Sequence, residues 1–136
     1  MSREILFRGK RIDNGEWVYG FYVNCSGPGC QRYESRHYII EYPDKWHEVF
    51  TSTVHQYTGV KDKHGSRIFE GDIIKTDLAR PYLVVVFRGG AFEHECDDGD
   101  GIYYDIMFAT SEEEQFVDKY SKVIGNVCDN PEYMED

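Results

Sequence analysis

The chain has 136 residues, a formal net charge of −10, eleven Tyr, eight Phe and two Trp. This length fits one domain with a core that needs no staples, and no window approaches the roughly 18 apolar residues of a membrane helix. The negative charge opposes non-specific attraction to nucleic acid or anionic membranes, and the aromatic content favours sheet.

Glu4 to Lys10 alternates polar and apolar and predicts a strand. Asp13-Asn14-Gly15 is a hairpin signal, and Glu16 to Val23 predicts an aromatic returning strand. Gly20 inside it predicts a bulge or a close backbone approach. Asn24 to Arg32 reads as a loop, Arg36 to Glu41 and Trp46 to Phe50 as strands, and Thr51 to Val54 as one helical or 3₁₀ turn.

Gln56 to Ile74 is the most informative stretch. Gln56, Tyr57, Thr58 and Gly59 begin a strand, Asp62 to Gly65 form a tight turn, a second strand returns, and Glu70-Gly71-Asp72 form a corner before a third. Leu78 to Pro81 is a loop. Leu83-Val84-Val85-Val86-Phe87 predicts a strand buried on both faces. Gly89-Gly90 turns it into Ala91 to Glu95, and Ile102 to Phe108 is a further strand. Ser111 with Glu114 makes a capping box, and Phe116, Val117 and Tyr120 share a helical face, so a short helix is expected from Ser111 to about Ser121. Lys122 to Cys128 closes the chain as a strand, with Gly125 and Asn126 in it, and Pro131 stops it. The sum is an all-β, mainly antiparallel domain over residues 1–136, a small barrel or sandwich built from hairpins with one short helix near the C-terminus.

Chemical motifs are sparse. Cys25 and Cys30 with His94 and Cys96 could supply zinc ligands, but the spacing departs from the usual Cys-x₂-Cys, and four unpaired thiols are the simpler expectation. Asp97 to Gly101 fails the calcium-loop pattern, since Ile102 and Ala109 fall where ligands are needed. His37, His47, His55, His64 and His94 form no metal-binding pair. Glu70 and Asp72 could act as paired carboxylates in a metal-assisted hydrolase, but no base or nucleophile accompanies them, so a turn role is expected. No catalytic residue, cofactor or metal is assigned.

Arg3-Glu4-Ile5-Leu6-Phe7-Arg8, the segment Gln56 to Gly65, the segment Ile68 to Ile74 and the ending Val123 to Glu132 resemble, in order, the conserved motifs of the YopX family of bacteriophage and prophage proteins. The departures are His64, Val127 and Cys128, all tolerable in a turn or strand. The resemblance implies a small all-β fold, a phage or prophage context and no biochemical activity to carry over. It implies fold-determining roles for Gly59, Gly65, Gly71 and Gly125 at turns and packing points, Asp72 at the corner and Pro131 at the stop.

The expectation is a cytoplasmic, non-enzymatic accessory protein that binds another protein and forms a homo-oligomer. Its contact would be an exposed patch around Trp17, Tyr19 and Tyr22, or Tyr103 and Tyr104. The alternative is a nucleic-acid binder using aromatic stacking with Arg3, Arg8, Lys10 and Arg11, which the net charge disfavours without excluding.

Overall fold

A computed structural model describes residues 4–25, 36–76, 82–97, 99–106, 110–112 and 115–134. Among them the chain is strand joined by turns, in two hydrogen-bonded sheets, with no α-helix. It divides into two compact units, Glu4–Gln56 and a second that spans Tyr57–Asp136.

In the first unit, β1 (Phe7–Lys10) pairs with β2 (Trp17–Cys25), β2 with β3 (Arg36–Glu41) and β3 with β4 (Lys45–Glu48), all antiparallel. A 3₁₀ turn at Thr51–Thr53 leads into β5 (His55–Lys61), whose first two residues pair with β1. The alternation of β2 sets the packing: Val18 points inward and joins Ile39 and Val49 in a core flanked by Phe7, Tyr22 and Val54. Gly20 is the close approach expected of it, because a Cβ there would collide with the Ile40 carbonyl. The end of β4 reaches back to the end of β1 through an Arg11–Val49 bridge and the Ile12 N–H to Glu48 carbonyl bond of 3.0 Å.

The second unit holds the rest of β5, β6 (Arg67–Phe69), β7 (Asp72–Thr76), β8 (Leu83–Arg88), β9 (Ala91–Asp97), β10 (Ile102–Ile106), β11 (Thr110–Glu112), β12 (Gln115–Val117) and β13 (Ser121–Asn126). One sheet runs β10-β9-β8-β7-β13 and, among the described residues, does not close on itself, so of the expected barrel or sandwich the closed barrel is not formed. Ile68, Ile74 and Val85 form the core, with Val60 and Val123 packed on it. Leu83, Val84 and Val85 are all buried, as a strand covered on both faces requires.

The helix expected from Ser111 to Ser121 is not formed. Thr110–Glu112 and Gln115–Val117 pair as an antiparallel ribbon, and β12 also lies parallel to β5 with Phe116 opposite Val60. An isolated helix of that length is marginal in water, and pairing with an existing strand outweighs a local cap. Asp118 instead anchors a turn: its N–H donates to the Lys61 carbonyl, and its carboxylate accepts from the Tyr120 N–H at 3.0 Å and from the Ser121 hydroxyl. The short helical piece near the C-terminus is a 3₁₀ turn at Pro131–Met134.

Candidate functional site

The motif residues that stand out in the sequence lie in the second unit or at its threshold, and their side chains serve the backbone. Gln56 sits opposite Phe7. Tyr57 is buried against Phe69, with ring centroids 5.6 Å apart, under the Arg67 guanidinium. Thr58 donates its hydroxyl to the Ile68 carbonyl at 2.7 Å. Gly59, Gly65 and Gly71 adopt positive φ, and the β5–β6 register shifts around Gly59. At Gly71, with φ of 84°, the N–H donates to the Val85 carbonyl and the carbonyl accepts from Val127. An L side chain would strain this corner.

Asp62 is buried, and one carboxylate oxygen accepts from the His64 and Ser66 N–H groups at 2.9 Å while the other accepts from the Val123 N–H at 3.0 Å. The same side chain therefore closes a turn and ties it to a strand 61 residues away. Asp72 is buried and accepts from the Phe69 N–H at 2.7 Å, whereas Glu70 is half-buried in the turn. Gly125 sits at a register shift in β13 against Asn130. Asn126 accepts from the Cys128 and Asp129 N–H groups, and Pro131 opens the final 3₁₀ turn. The Asp62 and Asp72 carboxylates are thus committed to backbone donors, and among the described residues no group of three or more His, Cys, Asp or Glu is placed to hold a metal ion.

Two cysteine expectations need correction. Cys25 is disulfide-bonded, so it is neither an unpaired thiol nor an available thiolate for zinc; β2 extends to this residue and holds it at a strand end. Cys96 and Cys128 carry no disulfide. Cys30 and the rest of the expected loop to Arg32 lie outside the described residues, as do Arg3 and Leu78 to Pro81.

The histidines are structural in placement. Tyr22 and His37 stack with rings 5.8 Å apart, and the Tyr22 hydroxyl lies 2.6 Å from His37 Nδ1. Burial raises the Tyr22 phenol. His94 is buried with no partner for Nε2, and burial lowers its pKa against the opposing pull of Asp118 and Asp105. His55 is pushed down from 6.5 to about 4 by burial and then by Arg8, whose guanidinium nitrogens lie 3.3 and 3.4 Å from Nδ1. His55 is therefore neutral at neutral pH, and Nδ1 accepts from Arg8.

A cleft of about 270 Å³ lies between Arg11, Ile12 and Asp13 on one side and Trp46, His47 and Glu48 on the other. Asp13 engages Arg11 through both oxygens, at 2.9 and 2.6 Å, and that bond holds the Asp13 carboxyl below its usual value. His47 Nε2 is buried without a partner. The volume falls at the small end for ligand pockets, and the cleft holds no nucleophile set beside a base.

The most distinctive surface is the outer face of β1 to β4. Residues opposite one another in a sheet share a face, so the registers place Arg8 and Lys10, then Trp17, Tyr19 and Phe21, on that side. Phe21 stands opposite Ile40, and Ile40 opposite Trp46, giving an apolar row across three strands. Phe21 is 58% exposed and Trp46 57%, and the Tyr38 ring meets Trp46 edge-on at 5.6 Å. Arg8 is buried with its guanidinium 4.7 Å from the Trp17 ring centre, and Lys10 Nζ lies 5.3 Å from the same ring. Arg36 pairs with Glu48 at 3.0 Å.

This face reorders the residues singled out from sequence. Trp17 and Tyr19 belong to it, but Tyr22 points to the core side. Arg11 lies at the end of β1 in its pair with Asp13, on the opposite side from Arg8 and Lys10 by strand alternation, so the basic set does not form one patch. Phe21, Ile40 and Trp46 were not singled out; period-two counting from Trp17 reaches Phe21, but the register that brings Ile40 and Trp46 alongside spans the 26–35 segment. Tyr104 is 39% exposed beneath Arg88, at 3.7 Å, and the Tyr103 side chain lies outside the described set.

No helix among the described residues is long and apolar enough to cross a membrane. The profile of one protein family, described as YopX protein, matches residues 6–135. Among solved structures, the crystal structure of protein EF1440 from Enterococcus faecalis is similar, with a TM-score of 0.52 and 24% identity over 98% of this chain and 100% of that one. That likeness bears on fold alone. No curated protein matches.

Proposed function

We propose, on the premise that this chain belongs to the YopX family, that it is a non-enzymatic phage or prophage accessory protein that binds another protein through the outer face of β1 to β4. The observation that supports this reading is the row of exposed Phe21 and Trp46 with half-buried Ile40 between them, set in register on three strands. Aromatic anchors on a fixed surface bind with little loss of side-chain freedom. The nearby cations favour a protein over a polyanion, because Arg8 is buried over Trp17 and Arg36 is engaged by Glu48. Cytoplasmic action is part of the proposal; the bonded Cys25 is the observation that stands against it.

The test is affinity capture of tagged protein from host cells, with and without nuclease, using wild type beside Phe21→Ser and Trp46→Ala. A protein captured in both halves by wild type and lost with either variant supports the reading. Capture unchanged by both variants contradicts it.

A second reading is favoured by the placement of Arg8 and Lys10 on the same side as Trp17, Tyr19 and Phe21. Bases could stack on such rings, and binding would then fall steeply with salt. A nuclease-sensitive capture, reduced by Lys10→Ala and Trp46→Ala, would replace the first reading by this one.

A further inference from the structure

We propose that the partner attaches by adding an extended segment to the free edge of β4, antiparallel to it, in the cleft between Trp46 and the turn at Arg11 to Asp13. The inference rests on the protein-docking reading above and names the chemistry of the segment that docks.

β4 is the last strand of its sheet, and the register fixes which of its backbone groups are used. The Val49 N–H donates to the His37 carbonyl at 2.9 Å. Antiparallel pairs alternate between exchanging both hydrogen bonds and exchanging none, so His47 and Lys45 turn their backbone groups to Ile39 and Glu41 of β3. Glu48 and Trp46 turn theirs the other way.

That far side is covered only in part. The Phe50 N–H donates to the Lys10 carbonyl and the Ile12 N–H to the Glu48 carbonyl, each at 3.0 Å. Beyond Ile12 the chain turns away, and the Gly15 N–H closes the turn on the Arg11 carbonyl at 2.9 Å. The ladder therefore stops short of Trp46, and the cleft of about 270 Å³ opens where the next strand residue would lie. Among the described residues the Trp46 N–H and carbonyl meet no hydrogen-bond partner on this side. Edges that stay unpaired are commonly blunted by charge. Here Lys45 precedes the open position, and the residue that holds the open groups is Trp46, 57% exposed.

The same geometry states what the segment must carry. A residue opposite Trp46 exchanges both hydrogen bonds with it, and its side chain shares the outer face with Trp46 and exposed Ile12. Its two neighbours point to the other face, where Arg11, Asp13 and His47 line the cleft. Arg11 and Asp13 neutralise each other there, which favours uncharged polar neighbours. The segment is thus an alternating strand with an aromatic or β-branched residue opposite Trp46, bound through its backbone and selected by alternate side chains.

The probe is the peptide acetyl-Thr-Val-Thr-Tyr-Thr-Val-Thr-amide, titrated to about 2 mM into the isotope-labelled full chain and followed by the backbone amide resonance of Trp46. The resonance is expected to move downfield as its N–H gains an acceptor. N-methylation of the Val and Tyr residues, which removes the donors that face β4, is expected to weaken binding at least about tenfold. N-methylation of the Thr residues between them is expected to leave it within about twofold, because those donors face away. Trp46→Ala is expected to weaken binding while keeping the preference between the two methylated peptides, since the backbone edge remains.

An amide at position 46 that does not move, or equal binding of the two methylated peptides, would overturn the proposal. In either case a host protein whose capture is lost with Trp46→Ala leaves the docking reading intact. Capture unchanged by Phe21→Ser and Trp46→Ala removes that reading, whatever the peptide does.

Discussion

Asp62 shows how one side chain can hold distant parts of the chain. Its three acceptor contacts are all to backbone N–H groups, and one comes from Val123. Asp62→Ala leaves three donors without that acceptor and is expected to cost about 2–4 kcal/mol, with Asp62→Asn costing less because one oxygen remains. Urea unfolding of the three proteins measures this. Gly71→Ala, at a φ of 84°, is expected to cost about 1–2 kcal/mol by the same assay. His55 gives the pH dependence. Its pKa is 6.5 when unfolded and about 4 when folded, so between those values the unfolded chain takes up a proton that the folded chain does not. Stability therefore falls as pH drops from about 6.5 to about 4. His94 is shifted in the same direction. His55→Asn, which keeps an acceptor for Arg8, is expected to flatten part of that slope. An unchanged slope would mean that His55 does not drive it. At this scale the turn roles of Asp62, Asp72 and Gly71 were legible, because turn chemistry is local. The bond from Asp62 to Val123 was not, because no local pattern encodes a partner 61 residues away.

Among the elements, hairpins were the most readable. Asn14-Gly15 falls between β1 and β2, and the first half of the β8 run, Leu83 to Val85, is buried on both faces while Phe87 at its far end is exposed. The segment from Ser111 to Ser121 misled because its cap and acidic first turn are genuine helix signals. What decides the outcome is the available edge of β5, which takes Phe116 and Val117 as parallel partners. Backbone chemical shifts of residues 115–117 are therefore expected to be strand-like, and helical shifts would contradict the assignment. The outer face of β2 was half legible. Trp17, Tyr19 and Phe21 share a parity that Tyr22 does not, so grouping Tyr22 with the first two broke the period of a strand.

For the whole molecule, a formal charge of −10 belongs to a chain that also presents a sheet face where Arg8 and Lys10 lie over the Trp17 ring beside exposed Phe21 and Trp46. Composition alone conveys the average and hides the exception, since the exception arises from strand registers. The central claim is that this face docks a protein. A photo-crosslinking amino acid placed at Phe21 or Trp46 in living cells tests it directly, with Phe87, an exposed aromatic on the second unit, as the control position. The account predicts discrete protein adducts from positions 21 and 46 and few from 87. Equal yields at the three positions, or adducts to nucleic acid alone, would contradict it.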